Sequence, residues 1–254
     1  MRSAPLCILL LAGCSPAVFT LTPEEARLPD LGPPPPSIGG LPGEETSVRG
    51  VVRWNGAVPP MRVMEWSYCR PLITRTVPSE ACVVDADNHL RWAFVVVTKG
   101  LEGRTFDVPK DPLRIDIRGH RFWPHVVGVR VGQEFGIANG EDHFYTVHGL
   151  PFDNPEFNLG LHKGMETRRR ADRPEVMFAV LDSIHPWMRL WMGAVDHPFF
   201  AVTGPDGRFE LRGLPPGRYT LTVWHERFVS AEREIEIWKG EELFLDIPLD
   251  RLKD

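Results

Sequence analysis

The chain contains no run of about 18 apolar residues, so its body offers no membrane-spanning helix. No segment carries a helical stripe of three turns, and no long basic run appears. With 29 Lys+Arg against 34 Asp+Glu the formal charge is −5, which gives no electrostatic case for nucleic acid. The motifs G-x-S-x-G and H-E-x-x-H and a phosphate loop are all missing, so no enzyme class is signalled and a non-enzyme is expected. Cysteine is sparse, at four in 254 residues, and none has the C-x-x-C redox spacing. What the chain has in excess is proline, 25 residues or about 10%, roughly twice ordinary usage. Nine of these precede residue 47, dividing a proline-rich tail from a body rich in Val, Trp, Phe and Gly.

Arg2 precedes a short apolar stretch, Pro5 to Leu11, too short for a permanent anchor. It ends in Leu11-Ala12-Gly13-Cys14, which resembles a bacterial lipoprotein lipobox, where small residues admit the signal peptidase and the Cys thiol carries the lipid. The resemblance implies a signal peptide at 1–13 and lipidation at Cys14. With Ser15 following, it also implies a place in the bacterial envelope at the outer membrane, facing the periplasm. An ordinary secretory signal cleaved a few residues later is the alternative. Residues 14–46, with Pro33-Pro34-Pro35-Pro36, then read as a tether extending about 3 Å per residue. In that oxidising compartment Cys69 and Cys82 read as one disulfide, contributing on the order of 3 kcal/mol, with a two-cysteine metal site as the alternative.

From Ser47 onward the pattern alternates with period two between turn signals. Leu113, Ile115 and Ile117 alternate with Arg114, Asp116 and Arg118, and further strand candidates are 92–98, 126–131, 134–139, 144–148, 175–182, 190–195, 199–203, 208–211, 218–225, 234–238 and 243–247. Asp206-Gly207 predicts a type I′ hairpin turn and Pro216-Gly217 a type II turn. Many short strands over about 200 residues predict an all-β chain of two modules, sandwich or Greek-key barrel.

The run Asp206-Gly-Arg-Phe-Glu-Leu-Arg-Gly-Leu-Pro-Pro-Gly-Arg-Tyr-Thr-Leu221 resembles the second half of the carboxypeptidase regulatory-like (transthyretin-like) sandwich, and Gly50-Val-Val-Arg-Trp-Asn-Gly-Ala-Val-Pro59 resembles its first half. The resemblance implies one Ig-like sandwich at 47–104 and 198–250 interrupted by an insert at 105–197. The insert, with Pro124-His-Val126, Asn139 to Gly149 and His185-Pro-Trp-Met188, resembles the cupredoxin-like domain of methylamine-utilisation-protein-like and plastocyanin-like exported proteins. In such a family a Greek-key β-barrel holds blue copper with two imidazoles, a thiolate and a weak thioether. Laid on this chain, the motif puts Tyr145 at the first His and Asp182 at the Cys, and keeps His185 and Met188. His120 stands where the family has a Cys. The resemblance therefore implies a cupredoxin fold without its blue copper.

Imidazoles and carboxylates remain as candidate ligands for one Cu(II) or Zn(II) ion: His185 and Asp182, joined by one or two of His125, His143 and His148. Strand alternation puts His143 and His148 on opposite faces, so they are not expected to share an ion. The expected function is a scaffold or binding module of the envelope, held to the membrane by lipid and working with an envelope protein partner. Metal handling or electron transfer without a blue centre is the alternative, and no resident cofactor is needed by the first reading. Eight Trp raise sugar binding as a weaker alternative, while Arg168-Arg169-Arg170 reads as a solvated turn.

Overall fold

A computed structural model describes residues 38–41, 46–57, 63–67 and 74–250. The expected signal peptide at 1–13, Cys14, most of the expected tether and Cys69 lie outside the described residues. Every regular element described is a strand. The chain order begins β1 Ile38–Gly40, β2 Ser47–Trp54, β3 Val63–Ser67, β4 Thr74–Pro78 and β5 Phe94–Lys99. It continues with β6 Leu113–Ile117, β7 Phe122–Trp123, β8 Val126–Arg130, β9 Glu134–Asn139, β10 Tyr145–Leu150, β11 Phe157–Leu161 and β12 Arg169–Arg170. Then come β13 Glu175–Leu181, β14 Arg189–Val195, β15 Phe200–Val202, β16 Arg208–Arg212, β17 Gly217–His225, β18 Phe228–Ile237 and β19 Glu242–Leu249.

Two sheets, ordered β1-β16-β2-β19 and β15-β5-β17-β18, form the first sandwich. Alternation decides what they enclose: on β2, Val48 and Val52 point inward against Leu211, Leu221 and Ile247, while Arg49 and Arg53 point out. A second pair of sheets, β11-β10-β13-β14-β8 and β12-β9-β6-β7, packs around Ile115, Phe135, Ile137, Tyr145, Val180 and Leu190. These are two open sheets face to face, not the closed barrel the family resemblance implies; the four-stranded and five-stranded sheets share no hydrogen-bonded strand.

A third apolar cluster joins the sandwiches: Trp92, Phe94, Val96, Trp123, Val126 and Val195, flanked by Trp191, Phe200 and Trp224. It explains why Ala93-Phe94-Val95-Val96-Val97 is apolar throughout. Val95 and Val97 face the first core, Phe94 and Val96 face the second sandwich, and a strand buried on both faces loses its alternation. On β14, Leu190, Met192 and Ala194 serve the second core while Trp191 and Val195 serve the joint. Both chain crossings between the sandwiches are tied by the buried Arg130, which donates to the carbonyls of Phe106, Asp107 and Asp196.

Several expectations need correction. The tether is not wholly without structure, because β1 adds to the edge of β16 in parallel register. Gly39 and Gly40 allow it: a Cβ on either would lie within 2 Å of a carbonyl oxygen, of Phe200 or Arg212. The Asp206-Gly207 hairpin is not type I′, since only Gly207 has positive φ. The Gly207 N–H bonds the Gly204 carbonyl, so Pro205 and Asp206 make a type I turn followed by a left-handed glycine. Gly217 has φ 157°, which opens β17 in place of closing a type II turn. The hairpin β3–β4 carries too little apolar periodicity to be expected, whereas β11 alternates Phe157, Leu159 and Leu161 with Asn158 and Gly160 and is an additional strand that the sequence reading did not include.

Gly128 on β8 lies under the rings of Phe200 and Phe94, where a Cβ would stand 2.2 Å from the Phe200 ring. Gly128→Val should lower stability by about 1–3 kcal/mol through overpacking, measured by urea unfolding; an unchanged midpoint would mean the joint is loosely packed.

Candidate functional site

The turn between β6 and β7 is the type I′ hairpin that the sequence reading looked for elsewhere. Gly119 and His120 both have φ 56°, and Arg118 and Arg121 exchange both backbone hydrogen bonds. A histidine in the left-handed region is uncommon and is kept there by its surroundings. The Glu141 carboxylate accepts the N–H groups of Gly119 and His120 and the Tyr145 hydroxyl. Trp187 Nε1 donates to the His120 carbonyl at 3.0 Å, and His120 Nδ1 lies 2.6 Å from the Tyr145 oxygen. Burial first, and then the Glu141 carboxylate, push the Tyr145 phenol well above its ordinary range, so it stays a donor to Glu141.

Beside it, the loop from β13 to β14 places Asp182 and His185. Asp182 is buried with every near donor aimed at it: Thr146 Oγ1 and the Ile184 N–H at 2.8 Å on one oxygen, His185 Nδ1 at 2.6 Å on the other. Burial opposes its charge, but the His185, Ile184 and Thr146 bonds outweigh it and hold the carboxyl below the usual range. His185 and Met188 are each about 1% exposed. The rings gather closely: Tyr145 to His185 at 5.0 Å, His120 to His143 at 4.8 Å, and His120 to His185 at 6.2 Å between centroids.

Of the sequence candidates, then, His143, Asp182 and His185 lie at this end of the second sandwich. His125 and His148 do not. His148 Nε2 bonds Glu156 at 2.7 Å on the face of β10 opposite Tyr145. His125 is buried at the joint, Nδ1 at 2.9 Å from the Arg189 carbonyl and Nε2 at 2.6 Å from Glu226. Both partners are acceptors, so both ring nitrogens donate and no lone pair is left for a metal. Sequence reasoning missed His120 as part of the cluster; the Gly119-His120 pair ahead of a strand was the signal, read only as a replaced Cys. Cys82 is half-buried against the first core, and its proposed bond to Cys69 lies outside the described residues. A separate group, Asp85, Asp87 and His89, has its ligand atoms within 4.8 Å of one another, closer than the three imidazoles of the cluster stand. Asp85 there already accepts the N–H groups of Asp87 and His89 and binds the His89 ring.

The blue-copper donor set does not fit. It needs a thiolate, and the position carries a carboxylate whose oxygens are engaged by three donors. Sugar binding finds little support either. Trp92, Trp123, Trp191 and Trp224 are committed to the joint, and Trp238 is the one exposed indole among the described side chains.

The comparisons with known proteins fall on both modules. Residues 195–250 match the carboxypeptidase regulatory-like domain. A comparison with curated sequences finds no match. Similar solved structures are cupredoxins. Amicyanin from Paracoccus versutus is 19% identical with a TM-score of 0.29, covering 39% of this chain and 96% of its own. A purple cupredoxin from Nitrosopumilus maritimus is 15% identical with a TM-score of 0.29, covering 32% and 98%. A copper-containing nitrite reductase from Thermus scotoductus SA-01 is 20% identical with a TM-score of 0.30, and the match spans 34% of this chain and 23% of that one.

The regulatory-like part meets the second sandwich through buried charge. Glu226 accepts from His125 and from Trp191 Nε1, while Arg121 pairs with Glu80 at 3.1 Å. Burial disfavours the Glu226 charge, yet the His125 bond and charge pull its pKa down to about 2. Burial also works against the His125 charge, but Glu226 and Glu80 prevail and raise its pKa. The signs follow. Glu226 contributes stability above the unfolded value of about 4.3 and loses it as pH falls toward 2. His125 contributes below about 6.5 and loses its contribution as pH rises through its raised folded value. Glu226→Gln should therefore destabilise the protein by about 3 kcal/mol near neutrality, with the gap to the parent closing between about pH 4 and 2. Urea unfolding against pH measures it, and a gap independent of pH would refute the pairing.

Proposed function

We propose that the chain is a lipid-anchored protein of the bacterial envelope. In this reading a regulatory-like sandwich, 47–104 with 198–250, carries a cupredoxin-like module, 105–197, that acts as a binding and scaffolding unit without a blue copper centre and without catalytic activity of its own. The observation that carries the reading is Asp182. Where the resembled family has its thiolate, this chain has a buried carboxylate whose two oxygens are engaged by Thr146, Ile184 and His185. Tyr145, at the position of the first imidazole, is likewise engaged, with Glu141 and His120. Such a pocket holds its own shape by hydrogen bonds, as a scaffold requires.

Copper(II) added to the protein should give no intense blue absorption, and the double variant Tyr145→His with Asp182→Cys should create it by supplying the two missing ligands. A blue centre in the parent protein would defeat the reading. For the anchor, Cys14→Ser should move the protein from the membrane fraction to the soluble periplasm; retention of the variant in the membrane fraction counts against lipidation.

A further inference from the structure

We infer that the open edge of the second sandwich binds an amphiphile with an apolar tail and a carboxylate head, the chemistry of a medium-chain fatty acid, between strands β11 and β12. The inference goes beyond the scaffold reading above and concerns a different part of the module from Asp182 and the histidines around it.

The cleft itself is the first ground. The two sheets of this sandwich share no hydrogen-bonded strand, and β11 and β12 are edge strands of the one and the other. Arg168-Arg169-Arg170, expected as a solvated turn, instead contributes β12, which pairs with β9 over two residues only. So short an edge leaves the space between the sheets uncovered, and a cleft of about 330 Å³ opens there. That volume lies at the lower end of the range for small-molecule sites, about 300–1,000 Å³. Its lining comes from both sheets: Phe135 of β9 and Phe178 of β13, both members of the second core, with the half-buried Phe157 and Leu159 of β11. None of these four side chains has a polar atom, so this part of the cleft favours an apolar group.

Charge is the second ground. Arg169 and Arg170 line the same cleft. Glu134 pairs with Arg168 and Arg170 at 3.5 and 3.6 Å, and Glu156, also in the lining, is bonded to His148 at 2.7 Å. Among the described residues no carboxylate pairs with Arg169. Its Nη1 donates to the Arg168 carbonyl at 3.1 Å, and its guanidinium lies 5.7 Å from the centre of the Phe157 ring. A planar cation with donors to spare, set against an apolar lining, recognises a carboxylate through two parallel hydrogen bonds.

Rigidity is the third. Pro151 and Pro155 supply a further wall, and the loop between them is tied down by Asn154. Asn154 Oδ1 accepts the N–H groups of Asp172 and Arg173 at 2.8 and 3.0 Å, and its Nδ2 donates to the Arg173 carbonyl at 3.0 Å. Glu175 accepts the N–H groups of Phe152 and Asp153. The wall is therefore fixed to the segment that follows β12, and little ordering is left for binding to impose. Phe152, 94% exposed on this braced loop, adds apolar surface next to the lining residues.

The test uses the full chain as Cys14→Ser, purified without detergent so that no surfactant competes. It is titrated by calorimetry with hexanoate, octanoate and decanoate below their micellar concentrations. One molecule per chain is expected, with affinity rising about fourfold per added methylene until the tail outgrows the cleft. Octylammonium should bind at least about 10-fold more weakly than octanoate. Arg169→Gln should weaken octanoate binding about 10- to 100-fold, and Arg169→Lys should recover part of the loss. Leu159→Trp, which fills the cleft from β11, should abolish binding. Lys99→Gln, in the separate charged cleft that Lys99 and Arg218 line on the first sandwich, should leave it unchanged. If Leu159→Trp unfolds by circular dichroism, the two Arg169 variants decide the matter, because that side chain lies outside the core. Absence of saturable binding overturns the inference. So does binding that ignores chain length, that survives Arg169→Gln or a folded Leu159→Trp, or that is lost with Lys99→Gln. A negative titration leaves the reading of a module without blue copper untouched, since that reading rests on Asp182.

Discussion

The buried contact between the two sandwiches is the constraint on which the rest depends. Neither inner strand at the joint could be exposed: β5 and β14 carry apolar side chains on both faces, and separation would bare Trp92, Phe94, Val126 and Val195 to water. Apolar contact alone would leave the two sheets free to slide, because the hydrophobic effect has no direction. The direction comes from His125. Its ring is donated to Arg189 on one side and to Glu226 on the other, so one residue of the second sandwich is fixed to a single carboxylate of the first. Burying such charges costs free energy, and their bonds offset it only in this geometry.

That fixed point reaches the cluster of imidazoles by the shortest covalent path. Arg121, which pairs with buried Glu80, directly follows His120. Arg189, whose carbonyl holds His125, directly follows Met188, and the Met188 N–H in turn bonds the His185 carbonyl. Both loops of the site therefore spring from residues immobilised at the joint. The site is built on sheet termini with little freedom, which suits a set of side chains that must hold a geometry.

The sequence made the all-β architecture legible because most strands are half-buried and alternate, and the second half of the first sandwich legible through its turn residues. It was less informative wherever burial is two-sided or polar. The run 93–97 has no period because two cores claim it, and β18 extends back to Phe228 although Glu232, Glu234 and Glu236 leave its outer face charged. The roles of Asp182, His185 and Met188 as neighbours followed from motif spacing within one loop. His125 and His120 could not be sorted that way. Both are histidines near prolines and aromatics in sequence, and only the third dimension shows that one faces two acceptors at the joint while the other turns toward Tyr145.

The buried polar groups at this end of the second sandwich do not stand alone. A buried carboxylate lacking donors would cost several kcal/mol. Here Thr146 supplies a donor to Asp182 while its own oxygen accepts the Ser183 N–H, so the hydroxyl is used twice. The buried Tyr145 phenol likewise needs an acceptor, and Glu141 provides it while also holding the turn of His120. Asp182 and Tyr145 thus each sit in a set of hydrogen bonds, the first reaching His185 and the second His120. The two sets of bonds meet through ring contacts, Tyr145 against His185 at 5.0 Å and His120 against His143 at 4.8 Å, so polar bonds and aromatic packing hold this end of the sandwich together.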